Sequence, residues 1–267
     1  MDVLHLVVLA IVQGVTEFLP VSSSGHLVLV PVFMGVQDHN LILDVAVHIG
    51  TLGAVMMYLW RDIARIIFGV LKRIRGQSDS GARLAGLLLA ATVPVILMGF
   101  FLNQHYPAGF RSLEVVGWAT FGFGLLLLAA DQVGMTLRRI EHLKVSDAVI
   151  IGIAQVLALI PGTSRSGICM TAARMMGVER VDAARFAMLL GIPVIVGAGA
   201  LKGFELWKLG DANMTMEALL AAAFSLVTAL ISIHIMMIWL RWATFTIFAV
   251  YRLLLGGVLL AVAYEVF

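Results

Sequence analysis

At 267 residues, with 61% hydrophobic and only 13% charged residues and a mean hydropathy of +1.02, this chain is far more apolar than a soluble domain, where about a quarter of residues are charged. A net charge of +2 is too small for a nucleic-acid-binding surface, and the basic residues gather between apolar stretches instead of forming one tract. A lone cysteine, Cys169, excludes an internal disulfide and supports no zinc or redox site; it reads as a small packing residue. The composition is that of a multispanning membrane protein.

The first apolar segment, roughly 3–19, runs into a polar motif without a small-residue cleavage site, so it is expected to belong to the mature fold and not to a signal peptide. It resumes at 26–35 after Pro20 and a row of serines. Apolar windows that can serve as crossings follow near 45–60, 84–102 and 115–134. A second broken segment, 148–160 with 167–178, precedes three more windows near 184–201, 218–239 and 246–266. A bilayer core of about 30 Å needs roughly 20 apolar residues, so each half of the two broken segments is too short to cross. Unsatisfied backbone groups are not tolerated against lipid, and the breaks must lie inside protein or line a wet cavity. The economical reading is two re-entrant helical hairpins and six full crossings.

Orientation follows from lysine and arginine. The Arg61–Arg83 loop holds Arg61, Arg65, Lys72, Arg73, Arg75 and Arg83, and the next connector holds Arg138, Arg139 and Lys144, whereas 103–114 has only Arg111. The first two are expected in the cytoplasm and the third outside. Counting crossings from there puts both termini and the first hairpin outside, and makes the second hairpin enter from the cytoplasm. A hairpin plus three crossings is an odd unit. Its repetition gives an all-α inverted repeat, about 1–135 and about 145–267, within a single membrane domain of the kind familiar from secondary transporters. The only linker-like stretch is Arg75–Arg83, with Gly76, Ser78, Asp79, Ser80 and Gly81.

The breaks carry nearly the same polar text 142 residues apart. Gln13 falls on Gln155, Ser22 on Ser164, Ser24 on Ser166 and Gly25 on Gly167, with Pro20 and Pro161 displaced by one. A broken helix whose new N-terminus faces a pocket offers free amides and a positive dipole end to a phosphate oxygen. Ser22, Ser23, Ser24 and Gly25, with Gly162, Thr163, Ser164, Ser166 and Gly167, would line it. Arg165 adds a planar fork of donors matched to phosphate. One such cluster alone would read as a turn or helix cap; two at matched spacing, one with an arginine, point to a site. Glu17 is an intramembrane carboxylate with Arg165 as its expected partner, although a purely structural ion pair is the alternative. His26 could exchange protons with a serine or a leaving oxygen, or be hydrogen-bonded packing. Ser23 could be a nucleophile. Glu17 could instead hold a divalent ion, with Gln13 one turn before it as a neutral oxygen ligand. Asp44 and His48 read as a helix-terminal pair near the pocket, Asp131, His234 and Arg252 as packing or snorkelling groups, and the 14 methionines as core filler.

Glu17-Phe-Leu-Pro-Val-Ser-Ser-Ser-Gly-His26 and Pro161-Gly-Thr-Ser-Arg-Ser-Gly167 together resemble the signature motifs of the undecaprenyl-diphosphatase, or bacitracin-resistance, family. Asp44 to Asp62, Ala183 to Pro193 and Tyr251-Arg252 are similar to family segments in the same order. The resemblance implies hydrolysis of a polyprenyl diphosphate lipid, undecaprenyl diphosphate, to undecaprenyl phosphate and inorganic phosphate. That reaction recycles the lipid carrier of peptidoglycan synthesis and underlies bacitracin resistance. The resemblance also implies location in the bacterial cytoplasmic (inner) membrane, an active site open to the outer face, and a divalent cation, Mg2+ or Ca2+. By residue it gives Glu17 a catalytic or metal-binding part, Ser23 the nucleophilic role, His26 acid–base work, and Arg165 with Ser164 the phosphate. Two departures stand out: Gln13 where family members often carry Glu, and Cys169 where Thr is frequent. The alternative function is a transporter or flippase of an anionic polyprenyl phosphate lipid, suggested by the repeat itself. Either is compatible with a homo-oligomer, and neither involves nucleic acid.

Overall fold

The structure, a computed structural model, describes residues 3–34, 41–105, 112–133, 138–209 and 216–265. They form eleven α-helices: α1 (Val3–Thr16), α2 (Ser23–Met34), α3 (Leu41–Tyr58), α4 (Trp60–Ile74), α5 (Ser80–His105), α6 (Leu113–Val133), α7 (Val145–Val156), α8 (Arg165–Met175), α9 (Arg180–Leu209), α10 (Met216–Trp242) and α11 (Thr246–Ala263). Helices α5, α6, α9, α10 and α11 are long and apolar enough to cross a membrane, and α3 with α4, bent by 78° at their junction, brings the number to six if the pair holds one span. The chain is thus a polytopic all-α protein.

Helices α1 and α2, of 14 and 12 residues, and α7 and α8, of 12 and 11, are each about 16–21 Å long at 1.5 Å per residue. None can span about 30 Å of hydrocarbon, and each pair is one of the expected hairpins. The first break is placed by Pro20, which has no amide hydrogen and disfavours helical geometry at the residue before it. The second is placed by Pro161 and by Gly162 at φ 96°. The two helices that leave these breaks start alike. Ser22 and Ser164 both have positive φ, 72° and 68°, and each hydroxyl accepts the amide of the glycine three residues on, Gly25 at 3.3 Å and Gly167 at 3.1 Å. This is an N-cap bond. The duplicated motif is therefore a duplicated backbone conformation, strained at a residue that is not glycine.

Several of the main helix pairings are exchanged when α1, α2, α3, α5 and α6 are swapped with α7, α8, α9, α10 and α11. Helix α1 lies on α10 and α7 on α5; α3 pairs with α10 and α5 with α9; α6 faces α11, and α3 faces α9. Each hairpin arm thus seats against a helix of the other half. Glycine permits the approach: a Cβ on Gly14 would lie 2.6 Å from the Ser225 carbonyl oxygen, and one on Gly152 2.5 Å from that of Ala91. Small residues are the usual means of close helix packing where lipid supplies no hydrophobic drive.

Charged residues tie the bundle at the end where the basic connectors lie. Asp131 is fully buried and accepts from Arg174 Nε at 2.9 Å, Arg180 Nε at 2.8 Å and the Phe245 amide at 2.8 Å. It packs, as expected, and links α6, α8, α9 and the start of α11. Asp62 pairs with Arg185, and Arg138 with Asp147. Residues 61–74, expected as part of a loop, are the helix α4; the linker is shorter than expected, since α5 begins at Ser80.

Candidate active site

The two hairpin breaks meet. Ser24 Oγ accepts the Gly162 amide at 2.8 Å, and Ser166 Oγ donates to the Leu19 carbonyl at 2.9 Å. Thr120 Oγ1 donates to the Gly162 carbonyl at 3.3 Å. These bonds hold the first turns of α2 and α8 side by side. The leading amides of a helix have no acceptor within it, so two positive helix ends open on one place.

Glu17 sits there. It follows α1 by a single residue, its amide donating to the Gln13 carbonyl at 3.0 Å, so its side chain stays in register with that of Gln13. One carboxylate oxygen, Oε2, accepts from Gln13 Nε2 at 2.8 Å and from Ser23 Oγ at 3.4 Å. The other, Oε1, lies 3.3 Å from Arg165 NH2, with side-chain exposures of 9% and 13%. The expected carboxylate–guanidinium pair is thus formed, between chain positions 148 residues apart, and it is largely removed from water. Arg165 also lies over the Phe18 ring at 5.6 Å and donates to the Ala187 carbonyl at 3.4 Å. Ser23 and Arg165 are the first residues of α2 and α8. Equivalent positions of the duplicated motif thus supply a hydroxyl and a cation to the same carboxylate.

The other predicted residues divide by what they bond. Ser22 and Ser164 are caps, each also within 3.3 Å of the serine two positions on, and Ser24 and Ser166 stitch the hairpins. Gly25 and Gly167 lie in the first turns, where a Cβ on Gly167 would meet Arg252 NH1 at 2.7 Å. Thr163 Oγ1 is buried without a partner. Gln155, the counterpart of Gln13, is fully buried away from Glu17; it donates to the Ala91 carbonyl at 3.3 Å and accepts from Cys169 at 3.6 Å.

His26 is placed differently from the simplest expectation. Its Nδ1 lies 2.7 Å from the Ser22 carbonyl, which can only accept, so Nδ1 carries the hydrogen. Nε2 is then the lone-pair atom, and it takes the Tyr251 hydroxyl at 2.7 Å, the rings stacked at 5.6 Å. His26 therefore touches neither Ser23 nor Glu17 by a hydrogen bond. It lines instead an apolar groove of about 470 Å³ between the first hairpin, α10 and α11, walled by Ile235, Met236, Trp239, Phe248 and Tyr251.

Three contributors were given a lesser role or none by the sequence. Tyr251 had drawn attention only as part of a similar segment. His48 Nε2 lies 3.2 Å from Gln13 Nε2, its Nδ1 fixed on the Asp44 carbonyl at 2.6 Å, so it orients the amide that holds Glu17. Arg252 does not snorkel: it is fully buried and donates to the carbonyls of Thr120, Gly162 and Thr163 at 3.2, 3.1 and 2.8 Å, pinning the second break. A charge in the middle of α11 was the available signal.

The donor set also fits a hard cation. Beside Glu17, Gln13 Oε1 is buried without a partner, and a carboxylate with neutral oxygens is what Mg2+ or Ca2+ takes when phosphate oxygens complete its shell. Among the described residues no three His, Cys, Asp or Glu side chains cluster, so the protein would supply few of the ligands.

Opposed broken helices inside a multispanning bundle, holding an acid, a hydroxyl and a guanidinium beside an apolar groove, define a membrane-embedded protein that handles an anionic lipid head group. The match to known sequences is closer than that class. Residues 6–258 match the family model for bacitracin resistance protein BacA, and the chain belongs to that family. It is 47% identical to undecaprenyl-diphosphatase 1 of Rhodospirillum rubrum over 99% of this chain and 96% of that one. It is 46% identical to the undecaprenyl-diphosphatases of Ruegeria pomeroyi and a Jannaschia species, over 99% of this chain and all of theirs.

Proposed function

We propose that this protein is an integral membrane phosphatase that hydrolyses undecaprenyl diphosphate to undecaprenyl phosphate and inorganic phosphate. The site would face the outer side of the bacterial cytoplasmic membrane. The observation that carries the reading is the meeting of Glu17, Ser23 and Arg165 at the two hairpin breaks, with an apolar groove leading away past His26 and Tyr251.

The head group lies over the first turns of α2 and α8. Arg165 and the leading amides neutralise charge on the terminal phosphate, the electrostatic work that dominates phosphoryl transfer. Ser23 Oγ attacks the terminal phosphorus and passes its proton to Glu17, the carboxylate it bonds to. The bond from that phosphorus to the bridging oxygen breaks, Glu17 returns its proton to the departing oxygen, and undecaprenyl phosphate leaves with its tail in the groove and its head group at His26 and Tyr251. Water, deprotonated by Glu17, then attacks the phosphoserine phosphorus; the bond to Ser23 Oγ breaks, Oγ takes the proton back from Glu17, and inorganic phosphate leaves. Glu17 and Gln13 Oε1 would hold a divalent cation, which when bound adds positive charge across the phosphate oxygens. Gln13 and His48 keep the Glu17 carboxylate aimed at Ser23.

Purified protein in detergent has no compartments, so phosphate released there from undecaprenyl diphosphate is chemistry and not transport. The expected result is release that stops on adding chelator and resumes with Mg2+ or Ca2+. Movement of the lipid across sealed vesicles with no phosphate release in detergent would give the site to a carrier instead.

A further inference from the structure

Helix α4 separates its residues more completely than any other described helix. At 100° per residue, Trp60, Ile67, Leu71 and Ile74 fall within a sector of about 60°, and Phe68 borders it. All five are solvent-facing in the isolated chain, from 48% at Leu71 to 77% at Ile74. Arg61, Lys72 and Arg65 fall together along one flank of that stripe, within a sector of about 40° by the same geometry, and all are exposed. The opposite face is buried: Gly69 presses on the start of α5, where a Cβ would lie 2.5 Å from the Ala82 amide, and Asp62 is taken by Arg185. Helix α4 turns 78° from the crossing helix α3, so when α3 spans the membrane α4 runs nearly along its surface. At its end, on the side away from this flank, Arg73 faces a recess of about 600 Å³ with Ser78, Asp79, Ser80 and Arg83.

A helix that is strongly two-faced, low in overall hydrophobicity and basic on its polar side lies in the membrane interface with its apolar face in the acyl boundary. Its charges then stand at the level of lipid phosphates, where each attracts anionic lipid by about 1 kcal/mol. The only acid on α4, Asp62, is paired with Arg185, and Lys72 is paired with Asp79 just past the helix end at 3.2 Å, which leaves Arg61 and Arg65 as the cations of this flank with no carboxylate partner, Arg65 donating only to the Ser80 hydroxyl. From this we propose that α4 is an anionic-phospholipid-binding element on the face of the protein remote from the active site. Its apolar stripe of Trp60, Ile67, Phe68, Leu71 and Ile74 is seated among acyl chains, and Arg61 and Arg65 are on head-group phosphates. Arg61 over the Trp60 ring at 5.4 Å is the amphipathic pairing such a position favours. The site is independent of the hydrolytic reading: its residues touch none of Glu17, Ser23, His26 or Arg165.

Two measurements test it. With Trp118, Trp207, Trp239 and Trp242 changed to Phe, Trp60 alone reports depth in vesicles of brominated phosphatidylcholine. Quenching should be stronger for bromine near the head group than near the chain ends. Lipid retention by native mass spectrometry from mixed phosphatidylglycerol and phosphatidylcholine vesicles should favour phosphatidylglycerol in the parent protein. It should weaken by about fivefold for each of Arg61→Gln and Arg65→Gln, with phosphate release in detergent unchanged. Equal retention by parent and variants would overturn the proposal. So would a Trp60 shielded from every brominated lipid, and if that protein ran as a dimer, the face would belong to a second copy.

Discussion

Glu17 is held by three side chains, and each does something different to it. Gln13 aims it, Ser23 offers it a proton, and Arg165 fixes its charge. Ser23→Ala should lower kcat by about 10³-fold or more, the scale of losing a nucleophile whose partners remain, and rapid-quench mass spectrometry of the parent should find phosphoserine at Ser23. Oxygen-18 exchange at full rate in Ser23→Ala would reassign the attack to water. Tyr251→Phe keeps the stacked ring and loses only the hydroxyl on His26 Nε2. It should slow product release by about tenfold, one hydrogen bond to the head-group end of the groove, while phosphoserine still forms at the parent rate in single turnover. Glu17 and Arg165 were legible because charge inside an apolar stretch is costly unless used. Which serine reacts was not, because Ser22, Ser24, Ser164 and Ser166 have the same chemistry and differ only in the bonds that packing assigns them. Tyr251 was hidden for a related reason, its partner lying 225 positions away.

Among elements, the hairpins depend on how closely their first arms seat on α10 and α5. Gly152→Leu puts a side chain where the Ala91 backbone stands 2.5 Å from Cβ. It should cost about 1–3 kcal/mol as overpacking, seen as a lower melting temperature in detergent, and should cut activity with it by shifting the second break away from Glu17. Gly86→Ala, where a Cβ meets nothing within 4 Å, is the matched control and should leave both unchanged. The hairpins were readable from the sequence because proline and serine rows cut apolar runs below spanning length. Helix α4 was not, since its six-charge neighbourhood and low hydrophobicity resemble a loop when counted for span length. Its 3.6-residue alternation emerges only when the exposed and buried faces are separated.

For the molecule as a whole, the exchange of several helix pairings between the two halves is that of a duplicated fold, and the odd number of crossings per half is what would make the repeat inverted. The sequence reads the repeat only through motif spacing and the oddness of its crossings, because the halves have diverged elsewhere; even Gln13 and Gln155 now serve a site and a core contact. Orientation can be measured against a silent background, since Cys169 is fully buried. Gln104→Cys should react with an impermeant maleimide added outside intact cells, and Ser78→Cys only after permeabilisation; the reverse pattern would invert the topology and place the site on the cytoplasmic side. The central claim is that a carboxylate from one half and a guanidinium from the other act together on one diphosphate. A double-mutant cycle on kcat/KM tests it, with Glu17→Gln, Arg165→Lys and the double variant assayed for phosphate release. Each single change should cost about 10²–10³-fold, and the double should be little worse than the worse single, the signature of groups that act as a unit. Costs that simply multiply, or near-parent turnover in either single variant, would contradict it.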